Sequence, residues 1–465
     1  MTSFNTRDAF LETGKARGKL VLVTAAPPVA ASKGEGKTSC TLALLDALRL
    51  AGASACAVLR QPSMGISAAG AKGGASGVGK SALKEAAQAD FGLQGQMLRI
   101  GAYQNLLVSF GEKKGQEEGQ ILLPRTSCVP TKYLRKVQAG PYSESFVLIP
   151  TCEMEQIRVL SLSEKEAKKA VDEVTVAKCR EKYLRAKDLP IFASWPVLSS
   201  AFQISLLSTL RGSPVLMYCG PFANVSLGIP GLCALKLALS KYDWVLMEAG
   251  YGFDMGMQKY LEVASKKGCA LPVGAVVVRR KKSGEGQYQW KILQGQRCMR
   301  ELGLFSFPLL NIFEGEERKA PLKGMALNPA KDEEKELLPI GEKFLSLLEG
   351  QKGMRKGAYK GSLPLITKIS YICSAFYGVP SGRVKFTRAF KKAYLQAAGQ
   401  AKSEGANLKE FIVNVVKSPS TLTDDDLKKF SKRTVTVRAI SLNTGSKVAN
   451  IRLTLAPTTF LPRVV

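Results

Sequence analysis

Short apolar runs alternate with amphipathic stretches over the first two thirds of the chain. Residues 19–26 read Lys-Leu-Val-Leu-Val-Thr-Ala-Ala, and a run of this length and composition predicts a buried parallel strand. Leucines at 42, 45, 48 and 50 recur at near-helical spacing, which predicts a helix that ends at Gly52. A second apolar run at 53–59 completes a strand, loop, helix and strand, the opening unit of a parallel α/β domain.

The same alternation continues downstream. Further strands are predicted at 146–149, 214–218, 244–247 and 273–278, with helices between them, and this order indicates a doubly wound parallel sheet. From 314 to 336 the chain is rich in Lys and Glu with few apolar anchors, which predicts a surface connection into a small second unit. Helices are then predicted at 366–377 and 387–398, and the alternating pattern from 434 onward predicts strands.

The stretch Gly34-Glu35-Gly36-Lys37-Thr38 joins the first predicted strand to the first predicted helix. Gly34 and Gly36 expose backbone N–H groups to an anion, Lys37 supplies a charge for the β and γ phosphates, and the Thr38 hydroxyl is placed to hold Mg²⁺. The strict motif needs a glycine at 31, where this chain has Ala31. The pattern predicts a P-loop that binds ATP and Mg²⁺, and the alternative is a glycine-rich turn with an exposed lysine.

These patterns together predict the fold class α/β, a P-loop-containing doubly wound parallel sheet with two smaller C-terminal α/β or α+β domains. The predicted division has an N-terminal extension over 1–18 and a P-loop nucleotide-binding domain over 19–312. A shortened second domain follows over 313–400, and a C-terminal α+β domain occupies 401–465.

A second glycine-rich run lies at 65–79 and contains Lys72, Gly73 and Gly74. Because it comes directly after a predicted strand, its composition favours a loop whose backbone approaches a ligand closely. A flexible linker would have a similar composition, and the sequence leaves both interpretations open.

Five motifs in one order resemble the formate-tetrahydrofolate ligase family. They lie at 34–38, 59–65, 71–75, 220–224 and 248–256. The resemblance implies a three-domain homotetramer that uses MgATP to phosphorylate formate and then passes the formyl group to N10 of tetrahydrofolate. It implies catalytic roles for Lys37, on the nucleotide phosphates, and for Arg60, which would hold formyl phosphate through its forked guanidinium. It also implies that Phe313 stacks on the pterin ring.

Several positions depart from the family pattern. Gln61 and Gln96 stand where the family has acids, Tyr218 and Leu227 where it has histidines, and Gln258 where it has a glutamate. Each change removes an anionic or proton-handling group. All three tryptophans precede Phe313, so the second aromatic plane of a pterin slot is not found, and tetrahydrofolate binding is doubtful.

The net charge and the composition add further candidate functions. Lys and Arg number 67 against 38 Asp and Glu, a net charge of +29 that favours polyanionic partners such as RNA. A basic run at 279–282 and a predicted helical face of Lys385, Arg388, Lys391 and Lys392 contribute to this charge, although such runs are usually solvated surface. Histidine is absent, which removes the commonest general base.

The ten cysteines show no metal-ligand spacing, and no apolar run is long enough for a transmembrane segment. We therefore expect thiols in a reducing compartment, cytoplasmic or mitochondrial, and not a secreted protein. Two hypotheses remain open. One is an ATP-dependent formate-tetrahydrofolate ligase, with formate and tetrahydrofolate as partners and a homo-oligomeric assembly. The other is a catalytically inactive paralogue that serves as a basic, RNA-contacting subunit of a ribonucleoprotein such as a mitochondrial ribosome.

Overall fold

The computed structural model describes residues 3–4, 16–25, 34–62, 75–114, 119–128, 136–139, 142–180, 182–191, 194–280, 295–318, 324–354, 359, 361–416 and 434–453. Its strands, in chain order, are β1 Ser3–Phe4, β2 Lys19–Ala25, β3 Ala55–Pro62, β4 Gly119–Ile121, β5 Arg125–Ser127, β6 Lys136–Ala139, β7 Tyr142–Leu148, β8 Thr175–Cys179, β9 Lys182–Arg185, β10 Ile204–Ser208, β11 Pro214–Gly220, β12 Trp244–Glu248, β13 Gly274–Arg280, β14 Ser306–Asn311, β15 Met325–Leu327, β16 Val384–Phe386, β17 Ile412–Val416, β18 Val435–Asn443 and β19 Val448–Leu453.

Its helices, in chain order, are α1 Lys37–Leu50, α2 Gln94–Lys114, α3 Glu153–Leu160, α4 Glu164–Asp172, α5 Trp195–Ser199, α6 Leu232–Lys241, α7 Gln258–Lys267, α8 over 295–301, α9 Glu334–Leu348, α10 Leu365–Tyr377 and α11 Arg388–Ser403. Within the described residues, none of these helices is both long and apolar enough to cross a membrane. All ten cysteines are free thiols, and seven of them are buried.

The main sheet has nine strands in the order β1-β10-β11-β3-β12-β2-β13-β14-β15. Every pairing from β11 to β15 is parallel, and β10 and β1 add antiparallel pairings at one edge. The predicted parallel α/β sheet is therefore confirmed, with β2 near its centre.

Apolar side chains of β2 lie on both faces of the sheet, because successive residues of a strand face opposite sides. Leu20 and Leu22 pack in one core cluster with residues of α6 and α7. Val21 and Val23 belong to a second cluster with residues of α1 and α9. Helices thus cover both faces, which is why the strand sequences read as continuous apolar runs.

Two segments lie elsewhere than the sequence suggested. The strand predicted at 146–149 is the end of β7, which joins β5 and β6 in a separate small sheet and not in the main sheet. Residues beyond 312 still contribute to the main sheet, since β15 pairs with β14. Helix α9 packs closely on α1, and a Cβ at Gly341 would lie 2.0 Å from the Ala47 carbonyl oxygen.

The C-terminal part contains the two predicted helices as α10 and α11 and a four-stranded sheet, β16-β18-β19-β17. The prediction of a basic helical face is wrong for its first residue, Lys385. Lys385 lies in β16, paired with β18, because the Thr387 hydroxyl accepts the Phe390 N–H and caps α11 only after that strand. Arg388, Lys391 and Lys392 do lie on α11 and are exposed.

Candidate functional site

The loop predicted to bind phosphate lies at the carboxyl edge of the main sheet and is held there by two neighbouring strands. Gly36 has φ +78° and precedes the first residue of α1. Asn311, at the end of β14, donates its Nδ2 to the Glu35 carbonyl at 2.9 Å, and a Cβ on Gly36 would lie 2.3 Å from that Nδ2. The Glu35 carboxylate accepts the Arg280 N–H at 2.9 Å, at the end of β13. The glycine is required both for the left-handed backbone and for this close approach.

The first helical turn carries a hydroxyl that meets a buried carboxylate. Thr38 Oγ1 donates to Glu248 Oε2 at 2.7 Å. Glu248 is 8% exposed and ends β12, the strand beside β2. The hydroxyl lone pairs and the carboxylate are hard oxygen donors of the kind Mg²⁺ takes alongside substrate phosphates. Glu248 is the functional candidate that the sequence did not single out, although an acid ending an apolar strand was a usable sign.

Across the described parts of the chain, no three His, Cys, Asp or Glu side chains are grouped closely enough to form a metal cage. Mg²⁺ that is bound with a nucleotide normally takes only one or two protein ligands together with phosphate oxygens and water. Thr38 and Glu248 therefore fit a metal that arrives with its nucleotide.

Lys37 and Arg60 place two cations around the Glu248 carboxylate. Burial lowers the pKa of the Lys37 ammonium from its ordinary value, Glu248 opposes this shift, and the nearby Arg60 adds to it. Burial likewise lowers the pKa of the Arg60 guanidinium, again against the attraction of Glu248. Burial thus disfavours the charged forms of both side chains, and a bound phosphate would favour them.

Arg60 is packed between two glycines at the end of β3. A Cβ at Gly250 would lie 2.4 Å from Arg60 Nη2, and a Cβ at Gly220 would lie 2.9 Å from the Arg60 Cβ. Arg60 Nη1 donates to the Pro221 carbonyl at 2.9 Å. Its Nε is buried and has no hydrogen-bond partner among the described residues. A buried guanidinium donor without a partner fits an anionic ligand.

Gln61 follows Arg60 in β3, and its side chain has a structural role. Its Nε2 donates to the carbonyls of Gln88 and Ala89 at 2.8 and 2.7 Å, and its Oε1 accepts the Leu93 N–H at 3.1 Å. These bonds need two donors and an acceptor on one side chain, which an amide offers and a carboxylate does not. The presence of Gln61 where the family pattern has an acid therefore has a structural explanation.

The other departures are also buried. The Tyr218 hydroxyl donates to the Phe202 carbonyl at 2.8 Å, and Leu227 is fully enclosed in the apolar core. Gln258 Nε2 donates to Glu262, whereas Gln258 Oε1 has no hydrogen-bond partner among the described residues. Tyr218 and Leu227 thus serve packing at these positions.

Phe313 lies just past β14 and keeps 41% of its surface exposed. The Arg280 guanidinium carbon lies 4.1 Å from the centre of its ring, so one face of the ring carries a cation. The neighbouring Asn311 contacts the phosphate loop, as described above. The predicted aromatic residue and the predicted phosphate loop therefore share one edge of the sheet.

The remaining predicted site residues divide into two groups. Gly34 is exposed, and among the described residues other than its chain neighbours no heavy atom lies within 4 Å of where its Cβ would be. Lys72, Gly73 and Gly74 lie outside the described residues, and their contact with a ligand stays a prediction.

Comparisons with known proteins match this chain to one protein family. The family model described as Formate--tetrahydrofolate ligase matches residues 5–286. The formate-tetrahydrofolate ligase of Bifidobacterium longum is 38% identical over 471 residues, which cover 96% of this chain and 93% of that protein.

Two other relatives align over little more than half of the chain. The ligases of Thermoplasma volcanium and Thermotoga maritima are each 32% identical, over 57% and 56% of this chain. The alignments span about half the length of those two proteins, 52% and 51%. Because the family model matches more than half of the chain and the bifidobacterial protein aligns over nearly all of it, this chain belongs to the formate-tetrahydrofolate ligase family.

Proposed function

We propose that the protein is an ATP-dependent ligase that joins formate to tetrahydrofolate. The single observation that carries the proposal is the hydrogen bond from Thr38 to the buried Glu248 carboxylate, beside the desolvated Lys37 and Arg60. A carboxylate, a hydroxyl and two cations at one strand edge match what phosphoryl transfer needs, which is charge compensation around a phosphate group.

In the first half-reaction a formate oxygen attacks the γ phosphorus of ATP, and the bond to ADP breaks. Lys37 compensates the charge on the β and γ phosphates, and Arg60 orients the formate and then the formyl phosphate. Mg²⁺, bound at Thr38 and Glu248 together with the phosphates, would supply further charge neutralisation. The Thr38 hydroxyl donates its proton to Glu248, so the lone pairs of the hydroxyl oxygen remain for the metal.

In the second half-reaction the N10 amine of tetrahydrofolate attacks the formyl carbon, inorganic phosphate leaves, and the amine loses a proton. Phe313, with its exposed ring, is the surface on which a pterin would stack. The chain has no histidine, so an imidazole does not take this proton, and the departing phosphate is a base close to the amine. The departures at Gln61, Tyr218 and Leu227 do not oppose the proposal, because hydrogen bonding and packing explain them.

An assay of the purified protein with ATP, formate and tetrahydrofolate tests the proposal. We expect formyl-tetrahydrofolate to form with one ADP for each product, and Lys37→Ala to lower kcat about 100- to 1,000-fold, the usual cost of removing one group that stabilises the transition state. Lys241→Ala, which changes a lysine at the end of α6, serves as the matched control and retains activity.

The assay also separates the two hypotheses that the sequence left open. Absence of product from the folded wild-type protein, with MgATP and both co-substrates saturating, would contradict the ligase and favour the inactive paralogue. In that case sedimentation with ribosomal particles at physiological salt tests the RNA-contacting role.

A further inference from the structure

The end of β11 extends beyond β10 and is held on that side by side chains, while β3 stays paired with it on the other side as far as Gly220. On the β10 side the last paired residues are Ser205 and Met217. There the Cys219 N–H donates to Gln96 Oε1 at 3.1 Å, and the Cys219 carbonyl accepts from Arg158 Nη2. Both backbone polar groups of Cys219 are therefore fixed by side chains from two different helices.

The two side chains that hold Cys219 are themselves immobilised. Gln96 Nε2 donates to the Gln203 carbonyl at 2.7 Å, directly before β10. Arg158 donates through Nε and Nη2 to both carboxylate oxygens of Glu155 at 2.7 Å, and both side chains are fully buried. A bidentate pair of this kind fixes the orientation of the guanidinium as well as its position.

This fixed backbone leads directly to Arg60. Pro221, two residues after Cys219, provides the carbonyl that accepts from Arg60 Nη1 at 2.9 Å. In the sheet, Arg60 is also the parallel neighbour of Tyr218. A shift of residues 219–221 would therefore rotate the guanidinium and redirect its unpartnered Nε.

We propose that Gln96 and Arg158 are positioning residues for Arg60. They hold residues 219–221 so that the guanidinium presents its remaining N–H groups to the formate and phosphate groups. This inference rests on the proposed function of Arg60. It also gives Gln96 a positive role, because the contacts with Cys219 and Gln203 need one acceptor and one donor, which a carboxylate does not combine.

A pair of variants on helix α2 tests the proposal. Gln96→Leu removes both amide contacts while keeping the side-chain volume similar. Gln104→Leu is the matched control, because Gln104 lies on the same helix, is fully buried, donates to the Pro124 carbonyl at 2.8 Å and accepts the Met154 N–H at 3.3 Å. Arg158 is not varied, since its loss would leave Glu155 buried and unpaired and would endanger folding.

Two binding measurements and one stability measurement are made on each variant. We expect Gln96→Leu to raise the KM for formate about tenfold without changing the KM for ATP, because a misplaced orienting group weakens only the substrate it orients. Calorimetric titration of inorganic phosphate in the presence of ADP should show a similar loss of affinity. Thermal unfolding should place the two variants at comparable stability, and Gln104→Leu should match the wild type in both binding measurements.

The outcomes separate this inference from the ligase proposal. A wild type without ligase activity, but with phosphate binding that only Gln96→Leu weakens, would support the positioning role and reject the ligase. Equal effects of the two variants, or no effect of Gln96→Leu on formate and phosphate, would overturn the positioning role. A wild type that neither turns over nor binds phosphate would overturn it as well.

Discussion

Two buried polar clusters in this protein differ in how fully their hydrogen bonds are made. The strand-end cluster lies at the carboxyl edge of the main sheet. It contains polar atoms with no partner among the described residues, namely Thr24 Oγ1, Arg60 Nε, Asn224 Oδ1 and Ser226 Oγ. The hairpin cluster joins α3 to the turn between β18 and β19 and consists of Glu153, Gln156, Asn443, Ser446 and Asn450.

In the hairpin cluster each side chain named is bonded to another part of the chain. Gln156 donates to Asn450 at 3.2 Å and accepts from Asn443 at 2.7 Å and from the Ser446 hydroxyl at 3.0 Å. Glu153 accepts the backbone N–H groups of Gly445 and Ser446 at 2.6 and 3.2 Å.

The difference between the clusters indicates a difference in role. A buried polar group without a partner costs about 1–3 kcal/mol, so native structures keep few of them. Those at the strand ends fit a place where a ligand completes the bonding, whereas the hairpin cluster fits a structural joint. Variants of the first should lose activity at little cost in stability, and variants of the second should show the reverse.

Among the variants that compare the two clusters, the largest expected effect belongs to Glu248, the carboxylate beside Arg60 at the strand ends. Glu248→Gln keeps an acceptor for Thr38 but removes the negative charge between Lys37 and Arg60. We expect kcat/KM for ATP to fall roughly 100-fold, since charge stabilisation in a desolvated site is lost, and the Mg²⁺ concentration for half-maximal rate to rise. Titration of ATP at saturating Mg²⁺ measures the first quantity, and titration of Mg²⁺ at fixed ATP measures the second.

Glu333→Gln is the control for this prediction, because Glu333 pairs with Lys80 on the exposed surface. Its activity should equal that of the wild type. If Glu248→Gln instead lowered the melting temperature strongly and left the kinetics unchanged, Glu248 would belong with the structural joint.

The next effect concerns the aromatic end of the same sheet edge. Phe313→Ala should raise the KM for tetrahydrofolate roughly tenfold, since stacking on an aromatic side chain contributes about 1–3 kcal/mol. The KM for ATP and the melting temperature should stay the same because Phe313 is exposed. Leu395→Ala, at an apolar position that is 70% exposed on α11, should leave folate affinity unchanged. Unaltered folate binding in Phe313→Ala would place the pterin elsewhere.

The sequence predicted β2, β3, β11, β12 and β13 because they are apolar runs buried on both faces, but it did not predict β14, whose run Ser-Phe-Pro-Leu-Leu-Asn contains a proline. It did not predict β15, since Met-Ala-Leu at a sheet edge has no periodicity. The contact between Thr38 and Glu248 spans 210 residues and arises only because β12 becomes the neighbour of β2. Likewise, the replacement of an acid by Gln61 looked like a lost function until its three backbone partners were known.

Within the hairpin cluster, Asn450→Ala should lower stability and spare activity. Asn450 Oδ1 accepts from Gln156 at 3.2 Å and from Asn414 at 2.7 Å, so truncation leaves two buried donors unpaired. We expect the free energy of unfolding to fall by about 1–3 kcal/mol. Urea denaturation measures this change, and ligase activity at low temperature should equal that of the wild type. A loss of activity without a loss of stability would erase the distinction between the two clusters.

The last effect is a pH dependence that originates in the same joint. Burial raises the pKa of Glu153 from 4.5 to about 8; the N–H groups of Ser446 and Gly445 oppose the shift, and Glu404 adds to it. Between these values the folded state holds a proton that the unfolded state has released. The contribution of Glu153 to stability is therefore complete below about pH 4.5 and is lost as the pH rises through about 8.

Glu153→Gln isolates this contribution, because its carbonyl oxygen can still accept both N–H groups but does not ionise. We expect the free energy of unfolding of the variant, relative to the wild type, to rise by about 1.4 kcal/mol for each pH unit between pH 5 and about pH 8, and to level off above that. Urea denaturation of both proteins across this range measures the difference, and other titrating groups cancel in it. A parallel pair of pH profiles would mean that Glu153 is ionised in the folded protein, with the two N–H groups outweighing its burial.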